Sequence, residues 1–329
     1  MKSLTKPLAL GAALLAAGAL PLFLYAVNPM GLLGAGAENP VGTASQCALL
    51  ASRDMGSALQ WLAVITAFGI KPVYLVISLA TIIALWRRTE ADLVALRWGL
   101  IIFWLGENAC STNYLVYQGR SEFWEYLHNF GMAAAFSFVA FALMEGLDRR
   151  VVRYTAPKDR CAMMGLCRSC IKYTDSPCKL RRVFMLLIPA AIVVALIPFC
   201  SAPHPVAYQT RVLGGPVLYC HFMSAQLFEV RYCPTLGIVL LTSGWLALMF
   251  RRHEPMAMAK LLVAAAAGPL GFGFSRFILF AAFSDNLFWF DVWEEFTELL
   301  FTASTACILW LFRDSLFGGR APATPPTPS

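Results

Sequence analysis

The sequence predicts an all-α polytopic membrane protein: about eight transmembrane helices, built as a 4+4 parallel internal repeat, with both termini inside. Three observations predict it. First, 59% of the 329 residues are hydrophobic and only 14% charged, where a soluble domain carries about 25% charged residues. Mean hydropathy is +0.64, and no soluble core of this length buries so much apolar side chain. Second, the apolar residues fall in runs long enough to cross a hydrocarbon layer of about 30 Å. Third, the two halves of the chain echo each other. An ordinary cytoplasmic enzyme, a secreted disulfide scaffold and a nucleic-acid-binding domain are thereby excluded, and lipid is the expected solvent.

The expected spans lie near 7–27, 70–86, 93–118, 123–147, 183–200, 234–250, 256–284 and 287–312. Ala35-Gly36-Ala37 offers a cleavage site after the first, but that apolar run is longer than the core of a signal peptide. All but six of the 26 Lys and Arg residues fall on one side of an eight-span chain; the six are Arg53, Lys71, Arg120, Arg211, Arg231 and Arg276. The positive-inside rule makes that side cytoplasmic, in what is expected to be a bacterial cytoplasmic membrane. The net charge of +7 is then a topology signal rather than the mark of a nucleic-acid partner. The expected organisation is a first four-helix repeat over 1–147, a cytoplasmic Cys-rich basic linker over 148–182, a second repeat over 183–313, and a disordered tail over 314–329.

The repeat rests on short matches at similar places in each half. Arg87-Arg88-Thr89-Glu90 corresponds to Arg251-Arg252-His253-Glu254, and Trp124-Glu125 to Trp293-Glu294. Lys71-Pro72 corresponds to Cys233-Pro234, which makes 45–69 and 216–232 equivalent outer segments, expected as interfacial helices. Lys71 then reads as a snorkelling residue at a helix start.

Charges within the spans carry the functional signal. Each carboxylate costs about 2.5–3.5 kcal/mol at the bilayer centre and needs a partner or a purpose. Glu107 lies in the third span, Glu125 and His128 share one face of the fourth, and Asp291, Glu294, Glu295 and Glu298 form an acidic stripe down the eighth. All are expected in the outer half of the membrane. Arg276, in the seventh span, is the expected counter-charge for that stripe. It follows Gly268-Pro269-Leu270-Gly271-Phe272-Gly273, where the helix is expected to break or thin.

Glu107, Glu125 and His128 suit proton or quinone chemistry, with Asn108 and Tyr114 beside them as quinone-binding candidates. Glu-x-x-His is half of the ligand set of a four-helix di-iron site, but the second half of the chain lacks the matching His. The absence of Cys-x-x-Cys-His excludes covalent haem. A haem b would need His204 or His221 to dock against His128, and is not the expectation.

The ten cysteines sort by topology. Cys161, Cys167, Cys170 and Cys178 lie close together in the linker, and thiolates so grouped in a reducing compartment favour an iron–sulfur cluster or zinc over disulfides. Cys47, Cys200, Cys220 and Cys233 lie outside, where an even count suggests disulfides such as Cys220 with Cys233 and Cys47 with Cys200. Cys110 and Cys307 read as small apolar packing residues.

Three functions follow from these features. The first is a membrane subunit of an electron-transfer system, with a four-cysteine metal site inside and proton-coupled quinone chemistry at the acid–His cluster. The second is a cation or proton transporter or channel using the intramembrane carboxylates. The third is a structural membrane anchor. The expected partners are the bilayer and a membrane or outer-face protein.

Overall fold

The computed structural model describes residues 57–117, 121–155, 161, 178–203, 206–212, 215–250, 255–283 and 287–313. The expected span at 7–27, Cys47, Arg53 and the tail lie outside the described residues. Among the described residues six helices are long and apolar enough to cross a membrane, which supports the polytopic expectation in its coarse form. Their outward faces carry Val76, Ile83, Leu186, Val193 and Phe250, exposed apolar side chains suited to lipid contact.

In chain order, α1 (Ser57–Ile65) runs through a π-helical turn (Thr66–Ile70) into α2 (Lys71–Leu85). The apolar stretch is therefore Ala58–Leu85, longer than the 70–86 read from the sequence. Then follow α3 (Ala91–Tyr117), α4 (Glu122–Gly146) with a π turn at Leu147–Val152, and α5 (Lys179–Val194). A hairpin of β1 (Val206–Val212) and β2 (Gly215–His221) precedes α6 (Met223–Leu227), a third π turn (Phe228–Tyr232), α7 (Cys233–Phe250), α8 (Pro255–Phe283) and α9 (Leu287–Leu311). The 216–232 segment thus starts as a strand, not as an interfacial helix; Val206 pairs with His221 in an antiparallel register. Helix α9 has the length of a span, but Asp291, Glu294, Glu295 and Glu298 set it apart from the six apolar ones.

The π turns at Thr66–Ile70 and Phe228–Tyr232 have the same cause. Proline at the second position of the next helix has no N–H and clashes with the carbonyl four residues back. The chain relieves this by widening one turn: Lys71 N–H reaches Thr66 O, and Cys233 N–H reaches Phe228 O, each five residues back. These turns fall at the positions that the matched Lys71-Pro72 and Cys233-Pro234 assign to each other.

Five helices close a ring: α2 packs on α3, α3 on α4, α4 on α8, α8 on α9, and α9 back on α2. Helices α7 and α5 lie beyond α8, with α7 against it and α5 against α7. Two close approaches set the ring's spacing. A Cβ on Gly131 would lie 3.0 Å from Gly106 Cα, so α3 and α4 touch backbone to backbone. A Cβ on Gly268 would meet Ser137 Oγ and the Ala133 carbonyl, and Ser137 Oγ donates to Ala265 O at 2.9 Å across the same contact. The glycines around Pro269 therefore admit a neighbour rather than interrupt the span: α8 is one helix throughout Pro255–Phe283, correcting the expected break.

Candidate functional site: a buried acid-rich cluster in the helix ring

Each of the five ring helices contributes to one buried cluster. Helix α2 supplies Lys71 and Tyr74, α3 Glu107, α4 His128, α8 Arg276, and α9 Glu294, Glu295 and Glu298, all buried. Glu229, from the π turn Phe228–Tyr232, joins them through Arg276. Glu107 is fully buried, so its charge is set by protein partners rather than by water.

Lys71 corrects the snorkelling reading. Its Nζ donates to Glu107 Oε2 at 2.6 Å and to Glu295 Oε1 at 2.7 Å, joining α2 to α3 and α9. A third, weaker contact reaches Cys110 Sγ at 3.6 Å. The Tyr74 hydroxyl lies 2.5 Å from Glu107 Oε2 and 2.6 Å from Glu295 Oε2. One hydroxyl proton serves only one of those carboxylates at a time.

Arg276 meets part of its expected role. It pairs with Glu294, and its Nε lies 3.4 Å from Glu229 Oε1. Its guanidinium also sits over the rings of Phe272 and Phe290, 5.0 and 5.6 Å from their centroids. Glu295, expected to share Arg276, goes to Lys71 instead. Glu298 Oε2 is buried with no hydrogen-bond partner among the described residues, as is Glu107 Oε1.

His128 is oriented from both sides. Nδ1 lies 3.2 Å from Gly106 O and 3.2 Å from Glu107 Oε1. Nε2 lies 3.2 Å from Arg276 Nη2 and 3.7 Å from Glu294 Oε1. An arginine only donates, so Nε2 accepts and the ring proton sits on Nδ1. Glu125 is half-buried and receives a hydrogen bond from Asn113 Nδ2 at 3.3 Å. Asn108 bonds back to Trp104 O in its own helix, and the side chain of Tyr114 lies outside the described residues.

Tyr74 and Glu229 escaped the sequence reading, and His221 entered it only as a haem candidate. His221 Nε2 lies 2.9 Å from Glu229 Oε2, brought there by the hairpin and the π turn. Burial alone would lower the His221 imidazole, but the Glu229 carboxylate, with Glu125 adding to it, outweighs this and holds His221 above its ordinary range.

The charge inventory is uneven. Five buried carboxylates (Glu107, Glu229, Glu294, Glu295, Glu298) face two fixed cations, Lys71 and Arg276. Both histidines in their charged forms would still leave the acids in excess. Glu107, His128 and Glu298 offer one ligand atom each within 4.8 Å of one another, and these are the residues that can hold a metal ion.

Cys110 reaches this cluster through Lys71. Cys167 and Cys170 lie outside the described residues, while Cys161 and Cys178 are half-buried. Cys200 and Cys233 carry free thiols, with Cys233 buried in the core beside Phe228. The side chain of Cys220 lies outside the described residues, as does His204.

No family model matches the chain, and neither a curated protein nor a solved structure matches it.

Proposed function

We propose that this chain is an integral membrane protein that carries cations across the bilayer, with the Glu107 cluster as its binding site. One observation carries the reading: five buried carboxylates face two fixed cations at the meeting point of five helices. Uncompensated buried charge is costly, so a surplus of acids inside a ring of spans marks a place where a positive ion is held. The spans are those of an eight-helix chain with both termini cytoplasmic. The matching π turns before Pro72 and Pro234 support its 4+4 repeat. The electron-transfer reading leans on Cys167 and Cys170, outside the described residues, and gives the surplus of acids no partner.

The test is flux into proteoliposomes of the purified full chain, read with dyes for protons, potassium and divalent ions. The expected result is flux of at least one cation that falls at least about tenfold in Glu298→Gln. No cation flux, or flux equal in Glu298→Gln and wild type, would overturn the reading.

A further inference from the structure

We infer that the ion taken by the cluster is a divalent transition-metal ion, ligated by Glu107, His128 and Glu298; this rests on the cation-transport reading above. The three residues come from α3, α4 and α9, and one ligand atom of each lies within 4.8 Å of the other two. Metal–ligand bonds of about 2.0–2.2 Å set neighbouring ligands about 3–3.5 Å apart. Small side-chain movements therefore close the triad.

The donors are prepared in different ways. Glu107 Oε2 is committed to Lys71 and Tyr74, which fixes the carboxylate, while Oε1 has no hydrogen bond and lies 3.2 Å from His128 Nδ1. Glu298 is 5% exposed, and its Oε2 has no hydrogen bond among the described residues. Two buried carboxylate oxygens that make no hydrogen bond among the described residues thus stand with an imidazole in one group of ligand atoms.

The mixture of donors selects the ion. Calcium and magnesium take oxygen ligands, and alkali cations share that preference. One imidazole nitrogen with two carboxylates suits manganese, ferrous iron or zinc.

Ligation through Nδ1 puts the ring proton on Nε2, so Arg276 Nη2, a donor 3.2 Å away, must turn off the ring and Glu294 Oε1, at 3.7 Å, must close in to accept that proton. The ring keeps one proton throughout. Arg276, which donates to Nε2 without metal, keeps Glu294 and Glu229 as partners. The result is a carboxylate–histidine–metal line, the usual means of orienting a ligating imidazole.

The experiment uses manganese, which prefers oxygen and nitrogen to thiolates and so discriminates against the linker cysteines. The full chain is purified in detergent, stripped with a chelator and titrated with manganese, with free ion followed by electron paramagnetic resonance. One ion per chain is expected, bound at least about tenfold more weakly by Glu298→Gln and His128→Gln but equally by Cys167→Ser. Gel-filtration profiles matching wild type qualify each variant, and Glu298→Gln removes no partner contact. No saturable manganese binding, or binding that both variants retain, overturns the inference. If proteoliposome flux still depends on Glu298 in that case, the transport reading stands without its metal; if flux is absent too, both fall.

Discussion

At one end of α3, α4 and α8, three carboxylates meet three cations; at the other, about 22–26 Å away along the helices, five buried carboxylates meet two. In the first cluster Lys260 pairs with Glu145, and its Nζ lies 2.7 Å from Asp148 Oδ2. Arg150 Nε lies 2.7 Å from Asp92 Oδ2, and Arg149 pairs with Glu145. Thr155 N–H donates to Asp148 Oδ1 at 3.1 Å, so the π turn is tied to its own continuation. Each acid there has a cation, and the set closes the helix ends over Leu147–Val152. The Glu107 cluster uses the same helices but has more acids than cations. Asp92 Oδ1 at the first end also makes no hydrogen bond among the described residues, yet its other oxygen holds Arg150, whereas Glu298 has no such ion pair there. A balanced cluster holds helices together; on the proposed reading, an unbalanced one holds them around a positive ion.

The largest effect should come from breaking the balance. Lys260→Met leaves Asp148 and Glu145 buried without their shared cation, and should destabilise the protein by about 3–5 kcal/mol in denaturant unfolding in micelles. An unfolding midpoint equal to wild type would show that this cluster also tolerates surplus acid, and would erase the contrast.

Next comes the frame both clusters share. Gly268→Ala puts a methyl group against Ser137 Oγ and the Ala133 carbonyl, and should cost about 1–3 kcal/mol by forcing α4 and α8 apart. Because Lys260 and Arg276 both ride on α8, the same variant should weaken cation binding at the Glu107 end. Stability lost with binding unchanged would separate the clusters from their frame.

The smallest effect sharpens the contrast at its edge. His221 is raised by Glu229, so the pair's stabilisation is fully present below the unfolded pKa of about 6.5 and is lost as pH rises through the higher folded value. Wild type should therefore lose thermal stability on going from about pH 6 to 8 relative to His221→Gln, as followed by intrinsic fluorescence. Parallel pH profiles for the two proteins would place His221 outside the charge inventory.

Charges inside apolar runs were legible in the sequence, because a carboxylate in a span announces itself. Glu107, His128, Arg276, Glu294, Glu295 and Glu298 were all marked that way, and the ring brings them together. Their pairing was not legible. Lys71 stands at the start of α2, where a lysine usually reaches for the interface, and only the closure of α9 onto α2 turns it inward to Glu295. Glu229 and His221 sit among residues that read as an outer segment; the hairpin and π turn that seat them depend on Pro234 and on pairing across β1 and β2. The glycines of α8 signalled a special backbone, but whether as a break or as a contact depends on the helix lying opposite.

The most direct test of the contrast is one pair of thermal midpoints, for Glu298→Gln and Asp148→Asn, measured in the same detergent and in chelator-treated buffer. Glu298→Gln removes a carboxylate whose buried Oε2 makes no hydrogen bond among the described residues and should melt at or above wild type. Asp148→Asn removes one of the two charges that hold Lys260 and should melt well below it. Equal losses in both variants would mean that the two clusters do the same structural job, and would contradict the account.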